Sequence, residues 1–219
     1  LTFRFNIRRD MSDNVDISSA ANPTITVKLT KNEDGTVSAA SKPEVVVLPT
    51  GSYEVSEINN GAWAVSVRHT DPDVEPTVAP TDGSQTSNSS ATLRTGYTVT
   101  FTNARRMFNG NGEYTVTKYW NRYDENEAFP NVTVTLSDGT RTRSVELKSE
   151  GVKVDGQNAS MGSISHIFEN LPAYDLDGNA LTYTATESYI PGYAAGEPVS
   201  ADTFTTFTNT ANSVVLMVN

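Results

Sequence analysis

The chain has 219 residues with 26 acidic and 16 basic side chains, a formal net charge of −10, and no cysteine. That length suits two domains of about 110 residues, each large enough for a core of its own. The acidic balance, with no basic cluster beyond Arg8-Arg9 and Arg105-Arg106, argues against a nucleic-acid partner and against an anionic membrane surface. Disulfides are excluded, and no apolar run approaches the ~20 residues of a membrane-spanning helix. With 29 threonines, 22 valines and no convincing helical apolar period, the chain reads as all-β. It opens on "LTFRFNIRRD" inside a strand-like pattern without an initiator methionine, as an excerpt of a longer polypeptide does.

In chain order, "LTFRFNI" (1–7) places Leu1, Phe3, Phe5 and Ile7 on one strand face and Arg4 on the other. Lys28 in "TITVKL" points outward by the same alternation, and Lys31 is in phase but falls near a turn. "LPTGSYEVSE" (48–57) gives a turn and a strand ending in Glu57. A Ser/Thr/Pro-rich insertion at 70–92 is expected to be a surface loop. "YTVTFTNA" (97–104) follows as a strand, and "ARRMFNGNGEY" (104–114) as a hinge rich in turn residues. Further strands are expected at 114–120, 131–137, 143–148, 164–168, 181–187 and 203–208. "SDGT" (137–140) and "DLDGNA" (175–180) supply the turns between them. The second half repeats the first: "LPAYDLDGNALTYTATE" (171–187) and "FTTFTNT" (204–210) restate the Leu-Pro turn, the Tyr-led strand ending in Glu, and the strand ending in Phe-Thr-Asn. The reading is two tandem β-sandwich domains, 1–105 and 106–210, with 211–219 a linker or strand leading onward.

Three strands of the second half each turn one polar residue inward. "YTVTKYWN" (114–121) puts Lys118 on the face of Val116 and Trp120, "YTATE" puts Glu187 on the face of Tyr183 and Ala185, and "FTTFTNT" puts Asn209 on the face of Phe207. Taken alone, Lys118 could lay its stem on Trp120 and send its ammonium to solvent, paired with Glu187. Together the three make chemical sense. Burial favours the neutral amine and the protonated carboxyl. Such an amine can attack the carboxamide of Asn209 while the carboxyl of Glu187 stabilises the oxyanion and relays protons, leaving a Lys–Asn amide cross-link.

The pattern "TVTK…YTATE…FTNT" resembles the collagen-adhesin B-type (CnaB-like) repeat domains of Gram-positive surface adhesins and pilins, over residues 114–210. The resemblance implies a transthyretin-like or Ig-like β-sandwich with Lys118 as amine donor, Asn209 as acceptor and Glu187 as the catalytic acid. In the first half Glu57 and Asn103 stand in the matching places as a second candidate site. No inward lysine precedes them, so either that strand lies upstream of Leu1 or the pair is a non-bonded polar cluster. The implied role is structural rather than enzymatic: a stalk, pilin or adhesin segment of an extracellular, cell wall-anchored surface protein, partnered by neighbouring domains of the same protein. A ligand-binding adhesin domain, with a host protein or glycan as partner, is the alternative. No cofactor and no metal site is expected; His69 and His166 stand apart from other ligands, and "DLDGN" is a hairpin turn whose Gly comes too early for a calcium loop.

Overall fold

The computed structural model describes residues 1–9, 24–42, 47, 53–58, 61–71, 74–79, 90–93 and 98–213. The "LPTG" turn at 48–51, Tyr97 and the tail from 214 onward lie outside them. The chain divides into two compact units, Leu1–Arg106 with Tyr174–Asn179, and Met107–Ala173 with Ala180–Asn219.

The first unit holds β1 (Thr2–Arg9), β2 (Thr24–Lys31), β3 (Val37–Lys42), β4 (Tyr53–Glu57), β5 (Trp63–Asp71), β6 (Val74–Ala79), β7 (Ser90–Leu93) and β8 (Thr98–Arg105). One sheet runs β3-β2-β1-β4-β7 and the other β6-β5-β8. Ile7, Tyr53 and Val55 are buried from the first sheet, and Val65 and Val67 from the second. Phe101 of β8 packs against both groups, with its ring 4.9 Å from that of Phe5. The two sheets thus bury facing apolar sides, as a sandwich requires. Leu1, expected inside, is 41% exposed, although it exchanges both backbone hydrogen bonds with Leu29 of β2.

The expectation of a loop at 70–92 is corrected in part. Its described residues include β6, paired antiparallel with β5, and the start of β7, paired with β4. β6 is the outermost strand of its sheet, the place where Pro76 costs no ladder hydrogen bond.

The second unit holds β9 (Tyr114–Asn121), β10 (Val132–Ser137), β11 (Thr142–Leu147), β12 (Lys153–Val154), β13 (Met161–Phe168), β14 (Thr184–Glu187), β15 (Tyr193–Ala195), β16 (Val199–Ala201) and β17 (Phe204–Ala211). A sheet of order β11-β10-β14 faces a larger one of order β12-β13-β9-β17-β15, with β16 also paired to β17. The core draws Tyr114, Val116, Trp120 and Phe207 from the larger sheet and Val132, Val134, Leu136 and Ala185 from the smaller. β14 is shorter than the expected 181–187, since Leu181 N–H bonds back to Ala173 O instead of joining a ladder. Ala211, assigned by sequence to the linker, is the last residue of β17 and pairs with Tyr193. The 175–179 turn closes on itself: Asp175 accepts from the N–H groups of Asp177 and Asn179 and from the Asn179 carboxamide.

Candidate functional site

β9 is the strand on which the second unit is built. It pairs antiparallel with β13 on one side and parallel with β17 on the other, so the first and last strands of the unit are neighbours. Its residues alternate as the sequence demands: Tyr114, Val116, Lys118 and Trp120 are buried, while Tyr119 and Asn121 are exposed. With strands on both flanks and the smaller sheet above, the lysine has no path to water and is 0% exposed. Gly162, opposite Trp120 on β13, makes room for this layer; a Cβ there would lie 2.7 Å from the Phe129 ring and 2.6 Å from Val152.

Asn209 reaches the same layer from β17. Phe207 is the register partner of Lys118, and Asn209 that of Trp120, so the carboxamide stands one same-face step along the neighbouring strand from the lysine. Asn209 is 2% exposed. Glu187 comes from the opposite sheet, at the end of β14, where it pairs with Val134. Its Oε2 lies 2.8 Å from Lys118 Nζ, and its side chain is 11% exposed. The structure therefore brings amine, carboxyl and carboxamide into one buried layer from three strands and both sheets.

The layer is polar but poorly satisfied. Lys118 and Glu187 form an ion pair at 2.8 Å, while Asn209 Oδ1 is buried without a hydrogen-bond partner among the described residues. Buried groups left this way cost about 1–3 kcal/mol each, more when charged. Desolvation pulls the Lys118 ammonium below the ordinary lysine range, opposed by its contact with Glu187. The amine also sits 4.6 Å from the centroid of the Trp120 ring, which forms one wall. Sequence reasoning gave Trp120 only the packing of the lysine stem. It also missed Thr205, buried on β17 and 2.7 Å from Tyr114 Oη, although Thr205, Phe207 and Asn209 fall on one face by simple alternation.

In the first unit Glu57 on β4 is 1% exposed, and Asn103 Nδ2 donates to its Oε2 at 3.1 Å. Burial pushes the Glu57 carboxyl above the usual range, with the Asn103 bond opposing. No lysine joins them among the described residues; Lys28 is exposed on β2. The described residues thus form all-β sandwich units, one of which encloses a lysine, a carboxyl and a carboxamide between its two sheets.

Residues 114–210 match the family model described as the Cna protein B-type domain. Two solved structures are similar to the chain at long range. One is the major pilin protein T-13 from Streptococcus pyogenes, 14% identical, covering 96% of this chain and 90% of that one with a TM-score of 0.37. The other is the C-terminal fragment of the pilus adhesin SpaC from Lactobacillus rhamnosus GG, 11% identical, covering 98% and 91% with a TM-score of 0.37. Likeness this distant says nothing of function by itself. No curated protein matches the chain.

Proposed function

We propose that this chain is a stalk segment of a Gram-positive pilin or adhesin, exposed outside the cell and anchored to its wall, whose second unit locks itself with a Lys118–Asn209 isopeptide bond. The observation that carries the reading is the enclosure of Lys118 beside Glu187 and Asn209. These three side chains are costly to bury as they are and lose most of that cost on becoming an amide.

Burial keeps a fraction of Lys118 as the neutral amine, the nucleophilic form. Its Nζ adds to Cγ of Asn209, and the carbonyl electrons move to Oδ1. Glu187, 2.8 Å from the amine, takes a proton from Nζ and returns one to Nδ2. The Cγ–Nδ2 bond then breaks and ammonia leaves. One amide replaces another, with no oxidant or cofactor. Holding the groups in one packed layer replaces a collision in solution with an intramolecular encounter, the source of the rate.

The mechanical consequence follows from topology. β9 and β17 are parallel neighbours at the two ends of the unit, so the bond ties its first strand to its last. Tension along the chain then passes through a covalent link instead of unzipping the β9–β17 ladder. Neighbouring domains of the same surface protein are the natural partners of such a segment. The reading is tested by protease digestion and fragmentation mass spectrometry. A branched peptide joining Lys118 to Asn209 is expected in the wild type and absent in Glu187→Ala; separate linear peptides in the wild type would overturn it.

A further inference from the structure

The larger sheet of the second unit turns one face to the core and the other to solvent. The outward residues of β9, β13 and β17 are threonines, serines, an asparagine and a few large apolar side chains. None of them is charged, although the chain has 26 acidic and 16 basic residues. Tyr119, Met161, Ile167 and Phe204 are all exposed there.

At one end of this face the chain entering β9 walls off a cleft of about 390 Å³, within the size range of small-ligand sites. The wall is a fixed turn. Asn109 and Gly110 take positive φ values of 47° and 81°, which bend the chain back, and Gly112 N–H donates to Phe108 O. Gly112 also lies so close to Leu171 that a Cβ there would meet its backbone oxygen at 3.1 Å. Glu113 therefore enters β9 at a set position. Its carboxylate is oriented as well: Asn111 Nδ2 donates to Oε2 at 2.7 Å, and Asn111 Oδ1 accepts from the Glu113 N–H at 3.2 Å. Oε1 is left to accept from a ligand. On the floor, Phe204 is the register partner of Thr115, with Thr203 beside it in the lining. The side chains of Asn109, Thr115 and Thr203 have no hydrogen-bond partner among the described residues, and Thr117 Oγ1 meets Ser165 Oγ at 3.0 Å.

These groups select by chemistry. One carboxylate, with no lysine or arginine in the lining, repels anions. It is too few for a metal, and no group of three candidate metal ligands occurs among the described residues. A peptide strand finds no main chain to pair with here, because β9 is paired on both sides, by β13 and β17. The cleft instead suits a neutral molecule with many hydroxyls, to meet carboxamide, carboxylate and threonine groups, and with an apolar C–H face to lie on the Phe204 ring. A sugar ring has both. Tyr119 offers a second exposed ring on the same face, about 13 Å along β9 from Thr115. A single sugar ring cannot reach both aromatics; an oligosaccharide can.

We propose that the outer face of this sheet binds a neutral oligosaccharide, with one ring seated in the cleft on Phe204 and a later ring on Tyr119. Glu113 Oε1 and the hydroxyls of Thr115 and Thr203 take the hydrogen bonds of the seated ring. Lys118 points to the opposite face of β9, so binding does not use the cross-linking site.

The test is saturation-transfer NMR on the intact chain with maltotetraose, chitotetraose, lacto-N-tetraose and, as the anionic counterpart, a heparin tetrasaccharide. At least one neutral sugar is expected to bind, and the heparin fragment is not. Phe204→Ala and Tyr119→Ala, both at exposed positions, should each weaken that binding by about tenfold and leave the melting temperature unchanged. Glu113→Gln should weaken it by about fivefold, the difference between a charged and a neutral acceptor. No binding of any neutral sugar at about 10 mM overturns the proposal, as does binding that survives both ring substitutions. Binding of the heparin fragment alone overturns it too. So does sedimentation showing chains paired through this face and separated by Phe204→Ala, which would assign the face to a second copy.

Discussion

β17 and β8 carry the same three residues, Phe-Thr-Asn, and both turn the asparagine toward the inside of their sandwich. Asn209 is 2% exposed and shares its layer with Lys118, while Asn103 is only half-buried and hydrogen-bonds to Glu57. What differs is the neighbour. β17 has β9 beside it; β8 has none on that side among the described residues. A strand and the lysine it carries come together: the strand that closes the sheet also carries the amine into the core, where the proposed cross-link would form. The pair without the lysine settles into an ordinary hydrogen bond.

Breaking the second unit's site should have the largest effect. Lys118→Ala removes the proposed cross-link, which closes a loop of roughly 90 residues worth ~4–5 kcal/mol through the unfolded state. The second unit's melting temperature should fall by ~20 °C or more, with the first unit's unchanged. Calorimetry of wild type and variant checks both halves of that statement. Glu187→Gln should come next: the amine keeps its burial and loses its counter-charge, a change of ~3–5 kcal/mol where no bond has formed. Denaturing mass spectrometry should then show the unlinked chain. In the first unit the changes are smaller. Asn103→Ala leaves the Glu57 carboxyl buried without that partner and should cost about 1–3 kcal/mol, read by faster hydrogen exchange in β4 and β8.

The pH response sharpens the contrast further. The folded-state pKa of Glu57 lies above its unfolded value, so the folded first unit holds more protons than the unfolded chain between those two values. Its stability is therefore greatest at acid pH and declines as pH rises from about 4 through the folded pKa. Glu57→Gln should flatten that decline in hydrogen-exchange profiles taken across pH. For the second unit the slope has the opposite sign once cross-linking is blocked. In Asn209→Ala the lowered Lys118 pKa means that the unfolded state binds more protons, so stability should climb as pH rises toward the ordinary lysine value. Lys28→Ala, an exposed lysine on a strand of the first unit, should leave melting unchanged and so serves as the control for Lys118.

Much of this was legible because strands have a period of two. Lys118, Glu187 and Asn209 betrayed themselves as polar residues in apolar phase, and alternation alone assigns the buried face of β9 correctly. What alternation cannot give is which strands are neighbours. That β9 and β17 run parallel and adjacent is a long-range fact, and it is what sets Asn209 one same-face step from Lys118. Short edge strands such as β6 and β12 escaped for another reason. An edge strand is paired on one side only, so Pro, Thr and Lys occupy it as readily as they do a loop.

The central claim is that Lys118 and Asn209 are one covalent unit. Intact mass under denaturing conditions tests it most directly, on wild type beside Lys118→Ala. The account predicts a wild-type mass one ammonia below that of its sequence, and a Lys118→Ala mass equal to that of its own. A wild-type mass equal to the full sequence would contradict it.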